Sequence, residues 1–432
     1  MKDNMKKDYI WNGIGSGIYA MSAVVLAFLA MHYAGPEDGG IFGFGFSTFG
    51  QQMFIVAYFG IRPFHITDVK YEYSYGTYRR LRIWTAAAAA VFALLYLLVM
   101  YLFGSYSPRK VLIIFLLALY KVADGIGDLY ESECQRGGKL WLGGQELAAR
   151  TVFSVAVFAA CLLLKGDLLL ASAAAVGAQA VSLAVFRGIM RAQIPGTGDD
   201  KPASGEKDTA VTLMKNTLLL FLSVFVDFYI FSASKYAIDF YMTDADSGIF
   251  NILFMPTSVI YLAANFIIKP YLTRMADVYQ ARDYERFRKA GRVLSGYILI
   301  LSVLALAGTL VIGRYVLMLF EALLGGSYRG ELLVHHWDFV MIIAGGCCYA
   351  MTNLYYYILV IMRQQKMVFY NYVFMSVVAF VLTRRAVTGF GLEGAATSYA
   401  LYMILVMFVF IQSTRKQLRK EKEELEEENR KN

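Results

Sequence analysis

Cysteine, proline and charged side chains are scarce in this sequence. Its 432 residues include four cysteines and seven prolines, and 17% are charged, against about 25% in soluble globular proteins. No cysteine has a Cys-x-x-Cys or histidine-paired spacing, so we expect neither a disulfide framework nor a zinc site. The thiols, which we expect to be small core side chains, are Cys134, Cys161, Cys347 and Cys348.

Motifs for nucleotide and metal chemistry are also missing. The chain has no phosphate-binding loop, metal-ligand cluster or nucleophile triad, which argues against ATP-driven transport within the chain and predicts no resident cofactor or metal.

We expect no cleavable signal peptide. The basic start is followed by an apolar run that continues to about Tyr33, longer than a signal-peptide core. This run predicts a retained first membrane helix.

Long hydrophobic runs dominate what is present. Hydrophobic residues make up 58% of the chain, and the mean hydropathy is +0.49. Runs such as WTAAAAAVFALLYLLVMYLF reach the length of about 20 residues that a membrane-spanning helix needs. The sequence predicts an all-α polytopic membrane protein with about twelve transmembrane helices. Their predicted ranges are 9–33, 40–61, 82–104, 110–132, 140–164, 167–190, 212–237, 248–270, 290–313, 336–362, 367–388 and 392–413.

Lysine and arginine are distributed unevenly between the predicted loops. With twelve spans and a cytoplasmic N-terminus, most loop cations fall on the cytoplasmic side, which is the positive-inside pattern. Both termini are therefore predicted to face the cytoplasm. The net charge of +8 then reflects topology and contact with anionic membrane lipids, and we expect no nucleic-acid partner.

The longest polar interruption lies close to the middle of the chain. Residues 194–209 are rich in Pro, Gly, Ser and charge, which is typical of a flexible linker. The charged end of the chain has the i,i+4 spacing of a solvated helix. The predicted organisation is an N-lobe (1–193), a cytoplasmic linker (194–210), a C-lobe (211–413) and a charged cytoplasmic tail (414–432).

Several short phrases occur once in each half, in the same order. Ile-Arg-Pro-Phe begins at Ile61 and Ile-Lys-Pro-Tyr at Ile268, while Gly-Ile-Phe begins at Gly40 and again at Gly248. Repeated phrases at corresponding positions indicate an internal duplication. Because each half has six spans, the two lobes are predicted to be parallel repeats that are pseudo-symmetric around a central cavity. Such an arrangement predicts transport by alternating access.

Four stretches of the chain carry a family resemblance: GIFGFGFSTFGQQMFIVAYFGIRPFHITDV, DGIGDLYESECQRGGKLWLGG, FIIKPYLTRMADVYQARDYERFRKA and GLEGAATSYAL. They resemble bacterial polysaccharide flippases of the multidrug/oligosaccharidyl-lipid/polysaccharide exporter superfamily. The resemblance covers most of the chain and implies flipping of an undecaprenyl-diphosphate-linked oligosaccharide to the outer leaflet of a bacterial plasma membrane. It implies polysaccharide polymerase or glycosyltransferase partners. Related lipid II flippases carry a first-helix arginine, whereas the first span here has no cation.

The repeated phrases supply the first candidate binding residues. Arg62 and Lys269 lie toward the predicted cytoplasmic ends of spans two and eight, each followed by a proline that we expect to end the helix. In one interpretation the two cations capture the diphosphate of a lipid carrier, since arginine and lysine both bind phosphate. In the other they are positive-inside anchors at the membrane surface.

Span four carries a charged face. Lys121, Asp124, Asp128 and Glu131 recur at helical spacing, so they share one side of the helix. Lys121 is expected to pair with Asp124, and Arg150 of span five with Asp128. An ion-pair network that fixes packing and a cavity-facing site for sugar hydroxyls, a proton or a sodium ion both fit this pattern.

Two polar residues in the second half complete the candidates. Asp227 lies mid-span with no evident partner in its own helix, which favours a functional or cross-lobe pairing role. Asn265 lies one turn before Lys269 and is expected to line the same cavity. Asp227, together with Asp124 and Asp128, is therefore a candidate for coupling transport to a proton or sodium gradient.

Other functions of a multi-pass protein fit less well. A membrane-embedded polymerase or glycosyltransferase would use an acidic pair such as Glu37-Asp38, but the loop holding it is short. Adjacent His335 and His336 point in different directions on a helix. The chain is thus predicted not to be an enzyme. A multidrug exporter of the same superfamily stays open as the alternative within the transporter class.

Overall fold

The computed structural model describes residues 2–68, 73–194 and 210–431, which form helices joined by short turns. A π-helical turn, Gly45–Phe49, joins α1 to α2, and a 3₁₀ turn, Gly326–Tyr328, follows α10. The helices are α1 (Lys2–Phe44), α2 (Gly50–Tyr58), α3 (Ile61–Thr67), α4 (Tyr75–Leu102), α5 (Pro108–Arg136), α6 (Leu140–Lys165), α7 (Leu168–Gln193), α8 (Ala210–Tyr241), α9 (Asp244–Gln280), α10 (Tyr284–Leu324), α11 (Glu331–Val334), α12 (His336–Ile361) and α13 (Gln365–Lys431).

The prediction of about twelve membrane-spanning segments is confirmed. Within the described ranges, nine continuous helical stretches are long and apolar enough to cross a membrane. Two of these, Lys6–Tyr58 and Gln365–Glu427, are each interrupted by a glycine with non-helical backbone angles and so contain two segments. The remaining segment is α5, which has the length of a span but carries more charge than the others.

The two interruptions are tight reversals of the chain. Gly35 has a φ of +88° and Gly391 a φ of +58°, a region that side chains with a Cβ seldom adopt. After Gly391 the chain runs back along itself. This reversal brings Asn371 close to Ser413, and Asn371 Nδ2 donates a hydrogen bond to Ser413 Oγ at 2.9 Å. Each glycine therefore joins two antiparallel segments of one continuous helical stretch.

The chain divides into two compact units. Unit 1 comprises Met1–Phe225 and Thr243–Gly248, and unit 2 comprises Val226–Met242 and Ile249–Asn432. Residues 195–209 of the predicted linker 194–210 lie outside the described residues. The proposed lobes at 1–193 and 211–413 and the tail at 414–432 stay predictions.

The two Gly-Ile-Phe phrases begin with glycines that lie against one another in unit 1. A Cβ on Gly248 would lie 3.3 Å from Gly40 Cα, and a Cβ on Gly40 would overlap the backbone of Asp244. Both glycines therefore allow two backbones to approach more closely than any side chain permits. The close approach also places the Asp244 carboxylate 2.6 Å from the ammonium group of Lys110.

The prolines of the repeated phrases do not end their helices, contrary to the prediction. Pro63 lies in the first turn of α3, where a missing backbone N–H is tolerated. The preceding helix instead ends at Tyr58, because Phe59 and Gly60 adopt positive φ values of 52° and 65°. Pro270 lies inside α9, which continues to Gln280.

Helix α5 is the central helix of unit 1. It packs against α2, α3, α4, α6 and α7, and buried residues lie on every side of it. A helix surrounded in this way keeps its ionisable side chains away from lipid. This position explains how a transmembrane bundle accommodates the charged face predicted for span four.

Candidate functional site

The charged face of α5 points into unit 1. The side chains of Lys121, Asp124 and Asp128 are 5%, 3% and 8% exposed. Lys121 Nζ lies 3.6 Å from Asp124 Oδ2, the pairing that their helical spacing predicts. The same ammonium group lies 4.0 Å from the ring centre of Phe46, so it is enclosed by protein rather than open to a ligand.

Asp124 is the centre of one half of this network. Arg150 donates to it from α6, Tyr19 from α1 at 3.0 Å and Gln179 from α7 at 3.1 Å. Arg150 also pairs with Glu146 at 2.7 Å, one turn earlier on α6. Four helices are thus joined through one carboxylate and one guanidinium, both almost wholly buried.

Asp128 is the centre of the other half, and the expected pair between Arg150 and Asp128 is wrong. Asp128 instead accepts from Arg62 at 2.6 Å and from Arg82 at 2.8 Å. The cause is helical geometry. Asp124 and Glu131 are seven residues apart and almost in line along α5, so Arg150 contacts both, whereas four residues turn Asp128 about 40° away.

Arg62 belongs to this network. Its guanidinium also donates to Glu131 at 3.2 Å and to Gln135 at 3.4 Å, and its side chain is 26% exposed. Lys269, its counterpart in the repeated phrase, is exposed. The two cations therefore occupy different environments: Arg62 is neutralised by carboxylates, and Lys269 lies at the surface.

The charges of the network balance. The cations are Arg62, Arg82, Lys121 and Arg150, and the carboxylates are Asp124, Asp128, Glu131 and Glu146. A buried charge is expensive unless it is paired and hydrogen-bonded. Equal numbers of opposite charges in contact are what a packing network requires, and they leave little attraction for an anionic ligand.

A second polar cluster lies at the end of α5 and was not predicted from the sequence. His65 Nε2 lies 2.7 Å from Glu133, which also pairs with Arg136 at 2.7 Å. Burial lowers the pKa of the His65 imidazole, and its hydrogen bond with Glu133 opposes that effect only in part. His65 also stacks on Tyr78 at 4.0 Å. The available signal was the i,i+3 spacing of Glu133 and Arg136.

In unit 2, Asp227 lies in a different environment. Tyr349 of α12 donates a hydrogen bond to its carboxyl at 2.9 Å, and the hydroxyl of Tyr372 of α13 bonds it as well. Among the described residues, its carboxyl contacts these hydroxyls and no cation. Tyr261 stacks on Tyr349 with 5.3 Å between ring centres. Asp227 is therefore an acid held by tyrosines.

Asn265 adjoins the same group of tyrosines. It donates to the carbonyl oxygen of Tyr261 at 3.0 Å and accepts from Asn353 at 3.2 Å and Tyr357 at 3.4 Å. Asp227 and Asn265 are thus linked through Tyr349 and Tyr261. The members of this group, which we call the Asp227 cluster, are Asp227, Tyr261, Asn265, Tyr349, Asn353, Tyr357 and Tyr372.

A buried lysine in unit 2 was also missed. Lys235 is 6% exposed, two turns after Asp227 on α8, and its Nζ lies 4.1 Å from the ring centre of Phe254. In the sequence it lies two residues from the predicted end of span seven, where a lysine usually reaches the membrane surface. Helix α8 continues to Tyr241, which places the lysine inside the helix.

Comparisons with known proteins support the fold. No protein-family model matches the chain, and no curated protein matches it. A multidrug resistance MATE family transporter of the MOP superfamily aligns with a TM-score of 0.72 at 11% identity, over 95% of this chain and 99% of that one. The MATE multidrug transporter DinF-BH, solved in complex with rhodamine 6G, aligns with a TM-score of 0.64 at 14% identity, over 96% of each chain.

A third similar structure comes from Pyrococcus furiosus. This MOP superfamily transporter aligns with a TM-score of 0.58 at 12% identity, over 98% of this chain and 96% of that one. Together these likenesses establish a multi-pass, all-helical membrane protein with the fold of the MATE family transporters. Two of these neighbours are described as transporters of the MOP superfamily.

Proposed function

We propose that this protein is a secondary active transporter that works by alternating access, and that Asp227 couples transport to an ion gradient. The general class is supported by its structural neighbours, which are transporters. The observation that carries the proposal is the Asp227 carboxyl, which lies within the membrane-spanning part of α8 and contacts tyrosine hydroxyls but, in the described part of the chain, no cation.

Asp227 suits this role better than Asp124 or Asp128. Each of those aspartates is held by two cations, so its carboxylate is already paired. A carboxylate in a membrane without a compensating charge is costly, and binding a proton or a sodium ion removes that cost. Tyrosine hydroxyls bond either form, because a hydroxyl both donates and accepts. Asp227 can therefore change its charge without losing its partners.

The Asp227 cluster favours an organic, aromatic or cationic substrate, as in a multidrug exporter. Aromatic rings around a single acid attract cations through both charge and the faces of the rings. The structural neighbour solved with rhodamine 6G is a multidrug transporter. The predicted capture of a diphosphate by Arg62 is weakened, since this cation is paired with carboxylates, as are Lys121 and Arg150.

Flipping of an undecaprenyl-diphosphate-linked oligosaccharide is the second candidate. The sequence resemblance supports it, and exposed Lys269 leaves a cation open to an anionic headgroup. Cytoplasmic termini, a bacterial plasma membrane and polysaccharide polymerase or glycosyltransferase partners would follow from this function. In that case Lys269, rather than Arg62, would contact the diphosphate.

The coupling role can be tested with purified protein in proteoliposomes. We expect a pH or sodium gradient to drive uptake of rhodamine 6G, and we expect Asp227→Asn to abolish this gradient-driven uptake. The matched control is Asp277→Asn, which removes an exposed carboxylate of α9. Full gradient-driven uptake by Asp227→Asn would refute the coupling role.

The substrate class can be tested in cells. Deleting the gene and analysing lipid-linked intermediates separates the two candidates. Raised dye sensitivity with unchanged intermediates supports the exporter. Lipid-linked oligosaccharides that accumulate at the cytoplasmic face, with unchanged dye sensitivity, support the flippase.

A further inference from the structure

Unit 2 contains a cleft of about 510 Å³ between the beginning of α10, the end of α12 and residues 414–422 of α13. It shares no residue with the Asp227 cluster.

Two helices direct cations into this cleft. Arg288 and Arg292 are one turn apart on α10, while Arg415, Arg419 and Lys422 recur at i, i+4 and i+7 on α13. Side chains at these spacings share one face of a helix. Each helix therefore presents a basic face to the other, and Glu285 is the acid among the lining residues.

The cations of the cleft are only partly neutralised. Lys422 pairs with Glu285 at 2.8 Å, and Arg419 with Glu423 at 3.4 Å. Arg288, Arg292 and Arg415 are exposed, and no carboxylate of the described chain forms a salt bridge with them. Cations that line one cleft repel each other, so the arrangement is complementary to an anion.

Part of the lining of the cleft is apolar. Phe287, Gly291 and Ile358 contribute to it, and Phe287 and Ile358 are buried. A Cβ on Gly291 would lie 3.4 Å from Ile358 Cδ1, so the glycine leaves room at this point. The cleft thus combines a basic rim with an apolar wall at the end of a membrane-spanning helix, which is where lipid headgroups meet acyl chains.

We propose that this cleft binds a phosphate group, through the guanidinium groups of Arg288, Arg292 and Arg415. Arginine matches phosphate oxygens with paired N–H donors, and three guanidiniums can surround one group. The phosphate is that of an anionic phospholipid headgroup, because the apolar wall accommodates the attached glycerol and the first carbons of its chains. A soluble phosphate compound shares the same chemistry and is separated from the lipid by experiment.

The test uses the full-length protein in a neutral detergent. The cleft variant is the triple substitution Arg288→Gln, Arg292→Gln and Arg415→Gln. The control variant removes three exposed arginines elsewhere in unit 2, through Arg314→Gln, Arg384→Gln and Arg385→Gln. Both variants lose the same charge from exposed positions, so folding is expected to be retained and is checked by size-exclusion chromatography. The single variants Arg288→Gln and Arg415→Gln serve if the triple variant is unstable.

Binding is measured by the thermal shift that each added probe produces. Dioctanoyl phosphatidylglycerol is expected to stabilise the natural protein and the control variant, and to bind the cleft variant at least about tenfold more weakly. Dioctanoylglycerol, which lacks the phosphate, is expected to have no effect. Equal binding of the phospholipid to the cleft and control variants would overturn the site.

A second titration, with inorganic phosphate, decides whether the cleft binds a phospholipid headgroup or a soluble phosphate compound. Inorganic phosphate that binds about tenfold more weakly than the phospholipid, or weaker still, supports a lipid site. Inorganic phosphate that binds as tightly, with the same loss in the cleft variant, overturns the lipid assignment. Because dye uptake is not the readout, the result is independent of the proposed coupling role of Asp227.

Discussion

Arg62 Nη1 lies 2.6 Å from Asp128 Oδ1 and thereby ties α3 to α5. The equivalent cation in the second half, Lys269, is exposed. Two phrases that look interchangeable in the sequence therefore have different physical roles: one closes a buried network, and the other lies at the surface.

The first prediction concerns this difference. Arg62→Gln leaves Asp128 with Arg82 alone and Glu131 with one fewer cation, so we expect it to lower the free energy of unfolding by roughly 1–2 kcal/mol, less than for a fully buried pair because the side chain is partly exposed. The measurement is thermal unfolding in detergent. Lys269→Gln is the control and should stay within about 0.5 kcal/mol. An equal loss in both variants would contradict the assignment.

The second prediction concerns two glycines of the same helical stretch. A Cβ on Gly40 would overlap the backbone of Asp244, whereas nothing lies within 4 Å of a Cβ on Gly17. Gly17→Ala should stabilise the protein by about 0.5–1 kcal/mol, because alanine favours the helix. Gly40→Ala should destabilise it, since two backbones must separate. Thermal unfolding of both variants checks the opposite signs, and a gain in stability for Gly40→Ala would contradict the close approach.

The third prediction concerns Lys235. Its ammonium group is buried against Phe254, and a charge inside a membrane helix costs about 2.5 kcal/mol or more. Lys235→Met keeps the length of the side chain and removes the charge, so we expect it to raise the unfolding temperature. Lys215→Met changes an exposed lysine of the same helix and should have little effect. Destabilisation by Lys235→Met would show that the ammonium group makes a contact on which the fold depends.

The fourth prediction concerns pH. Because burial lowers the pKa of His65 in the folded protein, the unfolded chain binds a proton first as the pH falls through about 6.5. Stability is therefore lost as the pH falls below that value and regained above it. The hydrogen bond with Glu133 makes this effect smaller, because it raises the pKa of His65. The measurement is the unfolding temperature between about pH 5 and pH 8. His65→Gln should remove part of this slope, and an unchanged slope would exclude His65 as its source.

The helical architecture was predictable because it depends on local pattern. The length of each apolar run determines how many times the chain can cross a membrane, and all twelve predicted segments occur within helices or helical hairpins. The charged face of α5 was also predictable, since Lys121 and Asp124 are neighbours by helical spacing alone.

The partners of that face were not predictable from one sequence. Arg82 was assigned to the edge of a span and Glu146 was not considered, although both are almost wholly buried in the network. Which cation meets which carboxylate depends on the rotation of each helix and on the packing of α3, α4 and α6 around α5. None of these quantities is encoded in the spacing along a single helix.

The sequence by itself determined that this is a multi-pass helical protein and which residues carry charge within its membrane helices, because the cost of burying polar groups in lipid restricts both run length and composition. Only the tertiary structure decided which of those charges are satisfied. Helix packing neutralised Arg62 and Arg150, left Asp227 among tyrosines, and gathered Arg288, Arg292 and Arg415 around one cleft. Whether a charged group can attract a ligand or an ion depends on the groups around it, and those groups come from distant parts of the chain.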